Sequence, residues 1–292
     1  MSYQIKNVLR LHARDSVFKT RAMRDRLLSG RRKNLILCNS YPKSGTHLLY
    51  QILYSLSNYQ KWDDIVSVQA LCGLMNTTDH IRWKIQSAPD GSIVRSHLMC
   101  CDEIIEILQS HNCKNFFIYR DLRDVAVSHA RWVMKEPRIF LHDIYHQQAN
   151  FDQQLMSSIQ GTPLGTPFGS NLSHPNIGQD FERWKGWLSS PDTLAIKFED
   201  LVGDRGGGSK ETRLALIEKI AHVLEIDISP EQIEAKFSSA AMNPEESHTF
   251  RKGGKGSIGG WQSAFKEEHK DMFKAVAGQH LIDLGYESDF DW

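Results

Sequence analysis

The segment from Asn34 to Ser57 constrains this chain more than any other, because a short apolar run, NLILCNS, feeds YPKSGT and then HLLYQILYSLS. The run reads as a buried strand, and the apolar positions after Thr46 recur at helical spacing. A small-residue turn between strand and helix aims backbone N–H groups and the positive helix end at one point, which makes an anion site. Lys43, Ser44, Gly45, Thr46 and His47 stand there. A Walker A loop, as in a P-loop small-molecule kinase, puts its Lys after the last Gly. Here Lys43 precedes Gly45, an order that suits contact with a bridging oxygen between a phosphate and the group being transferred.

Further strands are expected over Ser92–His97, Asn115–Tyr119 and Thr193–Phe198, with helices over Leu122–Met134 and about Lys210–Leu224. Strands alternating with helices predict an α/β fold, a single domain with a central parallel sheet covered by helices on both faces. Ligands of such sheets bind at the carboxyl ends of the strands. Between Gly161 and Gly178 the chain is too rich in Gly, Pro, Ser and Asn for an ordinary connection and reads as a lid or a disordered loop.

Charge narrows the function. Lys+Arg and Asp+Glu both number 35, so a general nucleic-acid coat is not expected and any anion site must be local. The exception is residues 1–33, where ten Lys/Arg face two Asp. That stretch is expected to be a basic helix packed on the edge of a 34–292 domain, with a membrane-surface helix and a transit peptide as alternatives. The five cysteines form no C-x-x-C pair, which fits a reducing compartment. No run of roughly 18 apolar residues and no apolar leader is present, so a cytoplasmic location without a transmembrane segment is the expectation. No metal-ligand cluster is visible either.

Two other segments carry chemistry. RDLRDVAVS follows an apolar strand and spaces Arg120, Asp124 and Ser128 at i, i+4 and i+8, on one helix face. Arg offers a fork for phosphate and Ser a hydroxyl, although a surface ion-pair helix capped by Asp121 would read the same way. FRKGGKGSIGGW places five glycines and three cations before Trp261, with Phe265 following, and reads as a phosphate-clamping loop anchored by those aromatics.

Taken together and in this order, the three segments resemble the cytosolic-type sulfotransferase family, which uses 3'-phosphoadenosine 5'-phosphosulfate (PAPS). Its pattern Y-P-K-S-G-T-T-W is similar to Tyr41 to Leu48, R-x-x-x-D-x-x-x-S to Arg120 to Ser128, and R-K-G-x-x-G-D-W to Arg251 to Trp261. The resemblance implies that Lys43, Ser44, Gly45 and Thr46 hold the 5'-phosphosulfate, with His47 also in the cofactor site, and that Arg120, Ser128, Arg251, Lys252 and Gly253 hold the 3'-phosphate. It also implies that Phe198, where the family has Tyr, lies in the nucleotide site, and that His97, in RSHL where the family has K-T-H-L, is the general base. The implied reaction is in-line sulfuryl transfer with His97, Lys43 and Ser128 as catalytic groups, PAPS as donor, PAP as product, and no metal.

Departures from the pattern are specific. His47 replaces the second Thr, Leu48 the Trp that stacks on adenine, Ala240 a further Phe, Arg95 the Lys and Gly260 the Asp. The acceptor is expected to be a small hydroxylated or amine-bearing metabolite, and Trp83, Trp132, His142, Tyr145 and Phe168 are its candidate contacts. Each of these rings would serve equally well in core packing. A nucleotide-binding scaffold that has lost catalysis remains the non-enzymatic alternative.

Overall fold

A computed structural model describes residues 34–62, 64–65, 78–137, 141–163, 173–206, 208–241 and 258–292. The basic 1–33 segment, Phe168, Arg251, Lys252 and Gly253 lie outside the described residues. So does the middle of the 161–178 loop, whose ends pair as the short antiparallel strands β5 (Thr162–Pro163) and β6 (Ser173–His174).

The sheet follows from alternation in its central strand. β1 (Leu35–Ser40) is buried on both faces and lies between β3 (Ser92–Ser96) and β4 (Cys113–Tyr119), in the order β2-β3-β1-β4-β7 with all neighbours parallel. β2 (Gln60–Lys61) and β7 (Thr193–Lys197) are the edges. Successive side chains point to opposite faces. Leu35, Leu37, Val94 and Phe117 therefore enter one core, and Ile36, Cys38, Ile93, Phe116 and Ile118 the other.

Helices cover both faces. α1 (Thr46–Leu56) packs Leu48, Leu49, Ile52 and Leu53 onto the second core. α2 (Thr78–Ser87), α3 (Asp102–Ser110) and α4 (Leu122–Val133) belong to the first. α5 (Leu141–His146) forms a small core with α4, and α6 (Phe151–Gln160) and α7 (Ile177–Lys185) extend that layer. After β7 come α8 (Phe198–Val202), α9 (Lys210–Val223) and α10 (Pro230–Ala241) on the second face. α11 (Trp261–Ala264) and α12 (Glu267–Asp283) return to the first. Each fully buried Leu, Ile or Phe in these layers contributes roughly 1.5–3 kcal/mol of transfer free energy. The expected boundaries hold to within about two residues, with Met134 and Leu224 capping α4 and α9 instead of ending them.

Parallel register brings the strand ends together. Asn39 pairs with Ser96, Ser40 with Ile118 and Tyr119 with Lys197, so the residues after β1, β3, β4 and β7 emerge on one edge. A buried amide fixes the β3 exit. Asn39 Oδ1 accepts from Leu98 N (2.8 Å) and Ser96 Oγ (3.0 Å), while its Nδ2 donates to Leu98 O (3.1 Å), which also accepts from Trp187 Nε1 (2.8 Å). Asn39 thus holds the backbone on both sides of His97. Asn39→Ala leaves a buried N–H and a buried hydroxyl without acceptors and should destabilise the fold by at least about 2 kcal/mol. Urea unfolding checks this, and a loss below about 0.5 kcal/mol would refute the bridging role.

Candidate active site

The turn out of β1 is set by two left-handed residues. Lys43 has φ 69° and Gly45, the N-cap of α1, has φ 101°, and Ser44 N donates to Tyr41 O (3.2 Å) inside the turn. Only glycine fits at 45, since a Cβ there would meet Phe198 Cδ2 at 2.5 Å. No side chain caps α1, and its first turn has no acidic residue. Its leading N–H groups thus lack intrahelical acceptors beside the positive helix end. Ser44 Oγ is fully buried with no hydrogen-bond partner among the described residues. An orphaned donor beside an uncapped helix start fits a phosphate or sulfate group.

Lys43 belongs to the same turn. Its Nζ lies 4.7 Å from the Trp132 ring centre, and burial, helped by Lys135, lowers its ammonium pKa to about 8. His97 leaves the end of β3 toward the same turn. Its Nδ1 is 3.0 Å from Ser40 O and 2.9 Å from Ser40 Oγ. A carbonyl only accepts, so Nδ1 carries the proton and Nε2 is the basic nitrogen. Ser40 Oγ is also 2.6 Å from Thr46 Oγ1, which links the imidazole to the first residue of α1. Burial holds His97 below the ordinary histidine range, with Lys43 and Arg95 acting in the same direction.

The end of β4 delivers a second cation. Arg120 is buried, donates to Asp124 Oδ2 (3.0 Å) and lies over the Phe198 ring (4.6 Å). Asp121 caps α4 by accepting from Arg123 N (2.9 Å). Asp124 also accepts from Gly259 N (2.9 Å) and Trp261 N (3.0 Å). Trp261 is sandwiched against Arg123, whose guanidinium is 3.8 Å from its ring and 4.6 Å from that of Trp292. One carboxylate therefore joins Arg120 to the end of the glycine-rich segment, a role that spacing alone did not reveal. Ser128, one turn beyond Asp124, is partly exposed on the same helix.

The other sequence candidates separate. Phe198 is fully buried and supports Gly45 and Arg120 from beneath, and Leu48, at the position of the family's Trp, faces the core. His47 is exposed and 3.0 Å from Arg95 Nη1. Arg95 in turn is held by both oxygens of Asp64, at 2.8 and 2.6 Å, a partner the sequence did not suggest. Of the acceptor candidates, Trp132 contacts Lys43, whereas Tyr145 is buried in the small α4–α5 core. Trp83 is 59% exposed on α2 against His80, and His142 stacks on His146 (5.7 Å). Sequence reasoning missed His129, one turn before Trp132 on α4, and His174 on β6. Their rings stack at 5.6 Å with 16° between planes.

The chain is similar to known proteins over most of its length. The sulfotransferase domain family matches residues 33–285. Flavonol 3-sulfotransferase of Flaveria bidentis is 24% identical over 285 residues, covering 85% of this chain and 82% of the relative. Flavonol 4'-sulfotransferase of Flaveria chlorifolia is 22% identical over 276 residues, covering 86% and 80%. Among solved structures, mouse sulfotransferase SULT7A1 complexed with PAP aligns with a TM-score of 0.56 at 17% identity, covering 86% of this chain and 85% of that one. Retinol dehydratase in a complex with retinol and PAP aligns with a TM-score of 0.51 at 17% identity, covering 87% and 82%. With a family match across nearly the whole described chain and the same α/β architecture, this protein belongs to the sulfotransferase domain family.

Proposed function

We propose that this chain moves a sulfuryl group from PAPS to a hydroxyl or amine of a small molecule, with His97 as general base. The observation that carries the reading is the convergence on one sheet edge of an uncapped helix start, an ammonium group and an imidazole whose basic nitrogen is fixed as Nε2. The flavonol sulfotransferase relatives support a hydroxylated aromatic acceptor.

The 5'-phosphosulfate would be held by the backbone of residues 44 to 46, Ser44 Oγ and Lys43. Arg120 and Ser128, with Arg251, Lys252 and Gly253, would hold the 3'-phosphate. When bound, PAPS supplies an electrophilic sulfur and a phosphate leaving group. His97 stays unprotonated at neutral pH because burial disfavours imidazolium, so Nε2 can take the acceptor's proton. Ser40 O, accepting from Nδ1, keeps that tautomer in place and stabilises the imidazolium once formed. Lys43, still an ammonium at pH 7, offsets negative charge where the leaving oxygen forms. Ser40 Oγ and Thr46 Oγ1 share one hydrogen bond (2.6 Å), which leaves one hydroxyl hydrogen of the pair for another acceptor.

The deciding experiment is calorimetric titration with PAP beside ADP and ATP with magnesium at one salt concentration. A preference for PAP supports the donor class, and tighter binding of ATP with magnesium overturns it in favour of a kinase. The titration also has a pH signature. Lys43 loses its charge as pH rises through about 8, while the phosphates of PAP are already ionised above pH 7. PAP affinity should fall about three- to ten-fold between pH 7.5 and 9. In Lys43→Arg, whose guanidinium does not titrate there, the profile should be flat. A wild-type affinity independent of pH would remove Lys43 from the donor site. His97→Ala should lower kcat on a competent acceptor by about 10²–10⁴ while leaving PAP affinity within about two-fold. Near-normal turnover in that variant would mean that another group is the base.

A further inference from the structure

The segment that follows α12 leaves the helix in a fixed direction. Gly285 N donates to Ile282 O (3.0 Å) and Tyr286 N to Leu281 O (2.8 Å), with Gly285 at φ 68°, the left-handed conformation in which glycine closes a helix. Residues 286–292 then return to the ends of β4 and β7. Their side chains reach elements that are distant in sequence and that meet around Arg120.

Tyr286 ties the end of β7 to the end of β4. Its Oη donates to Glu199 Oε2 (2.7 Å), and Glu199 Oε1 accepts from Asp121 N (3.2 Å), the amide directly after Arg120. The Tyr286 ring also lies on Lys197 Nζ (3.9 Å). One side chain therefore holds both chain neighbours of Phe198, the ring against which Arg120 rests. Burial, with Glu199 beside it, pushes the Tyr286 phenol far above its ordinary range, so the hydroxyl stays a donor.

Glu287 and Trp292 hold the other flank. Glu287 pairs with Arg123, which also donates to both oxygens of Asp121, at 3.0 and 2.8 Å, where that residue caps α4. Trp292 meets Trp261 edge-on at 5.5 Å and Phe273 of α12 at 6.1 Å, and Arg123 lies against both indoles. Trp261 N is in turn one of the amides bound by Asp124, the ion-pair partner of Arg120. A guanidinium whose supports are fixed in this way loses little freedom when an anion arrives.

We propose that residues 286–292 are a strap that presets the 3'-phosphate half of the donor site, with Tyr286 and Trp292 as positioning residues that act on Arg120 through Glu199 and Trp261. The proposal rests on the sulfotransferase reading, because it concerns a ligand that carries a 3'-phosphate. The turn at residues 43–46 is braced instead by β1 and α1, so loosening the strap should weaken the hold on one phosphate and not on the other.

The test compares PAP with adenosine 5'-monophosphate (AMP), which lacks the 3'-phosphate, by calorimetric titration of the full chain. The wild type should bind PAP at least about ten-fold tighter than AMP. Trp292→Ala should weaken PAP about ten-fold and AMP less than about two-fold, and Trp292→Phe, which keeps a ring against Arg123 and Trp261, should recover most of the PAP affinity. Tyr286→Phe removes one hydroxyl and leaves the ring on Lys197. It should weaken PAP about three-fold with AMP unchanged, and it decides the question if Trp292→Ala does not fold. Equal losses for the two nucleotides would make the segment a general support of the fold, and unchanged PAP binding in both variants would remove it from the site; either result overturns the strap. A wild type that binds PAP no tighter than AMP overturns the donor reading and the strap with it, whereas a wild-type preference that the variants retain overturns the strap alone.

Discussion

The open amino end of α1 is the constraint around which the rest of the site is arranged. A helix leaves its first N–H groups without intrahelical acceptors, and proteins ordinarily place Ser, Thr, Asp or Asn there to satisfy them. Here the cap is Gly45 and the first turn carries no acid. The preceding turn holds Lys43 at positive φ, a conformation that costs a non-glycine residue on the order of 1–2 kcal/mol. Both features persist because β1 and α1 are fixed from either side, the strand by two neighbours and the helix by Leu48, Leu49, Ile52 and Leu53 in the second core. Packing energy from the layers maintains a local geometry that would be unfavourable alone.

Charge compensation then separates the cations around that point. Arg120 is neutralised by Asp124 and Arg95 by Asp64, and each pair has a positional consequence. Asp124 ties Arg120 to the backbone at Gly259 and Trp261, while Asp64 holds Arg95 beside His47. Lys43 has no carboxylate partner among the described residues, and burial makes its charge costly. Such a group gains most from an incoming anion. The net charge of the chain is zero, so this attraction is local rather than a property of the whole surface.

Local sequence made legible the parts of the candidate site that depend on local geometry. Lys43 to Thr46, His97 and Arg120 all follow strands directly, and a strand-to-turn junction leaves a readable pattern of apolar run and small residues. Residues brought in by distant contacts left no such pattern. Asn39 acts through Leu98, Asp64 through Arg95, and His129 through His174, each partner lying 31 or more positions away. Aromatic identity was also a poor guide to orientation. Tyr145 and Phe198 fill cores, Trp83 faces solvent and Trp132 faces Lys43, because ring type says nothing about which side of a helix or strand end is empty. The extended loop between β5 and β6 was visible as composition, but its pairing at Thr162–His174 was not.

Leu48 and Phe198 bear on how a nucleotide would be held. Both are buried in the second core, so neither presents a face for a base to stack on, and a lost stacking contact is worth about 1–3 kcal/mol. On the proposed reading, the phosphates then carry a larger share of donor affinity, through the amide turn, Lys43 and Arg120. Affinity that rests on charge is more sensitive to salt than affinity that rests on stacking. It also requires the phosphate-binding groups to be positioned before the ligand arrives. The Asp124 junction does this for Arg120, and the Ser40 link between His97 and Thr46 does it for the turn. On that reading, donor recognition is concentrated at the strand ends.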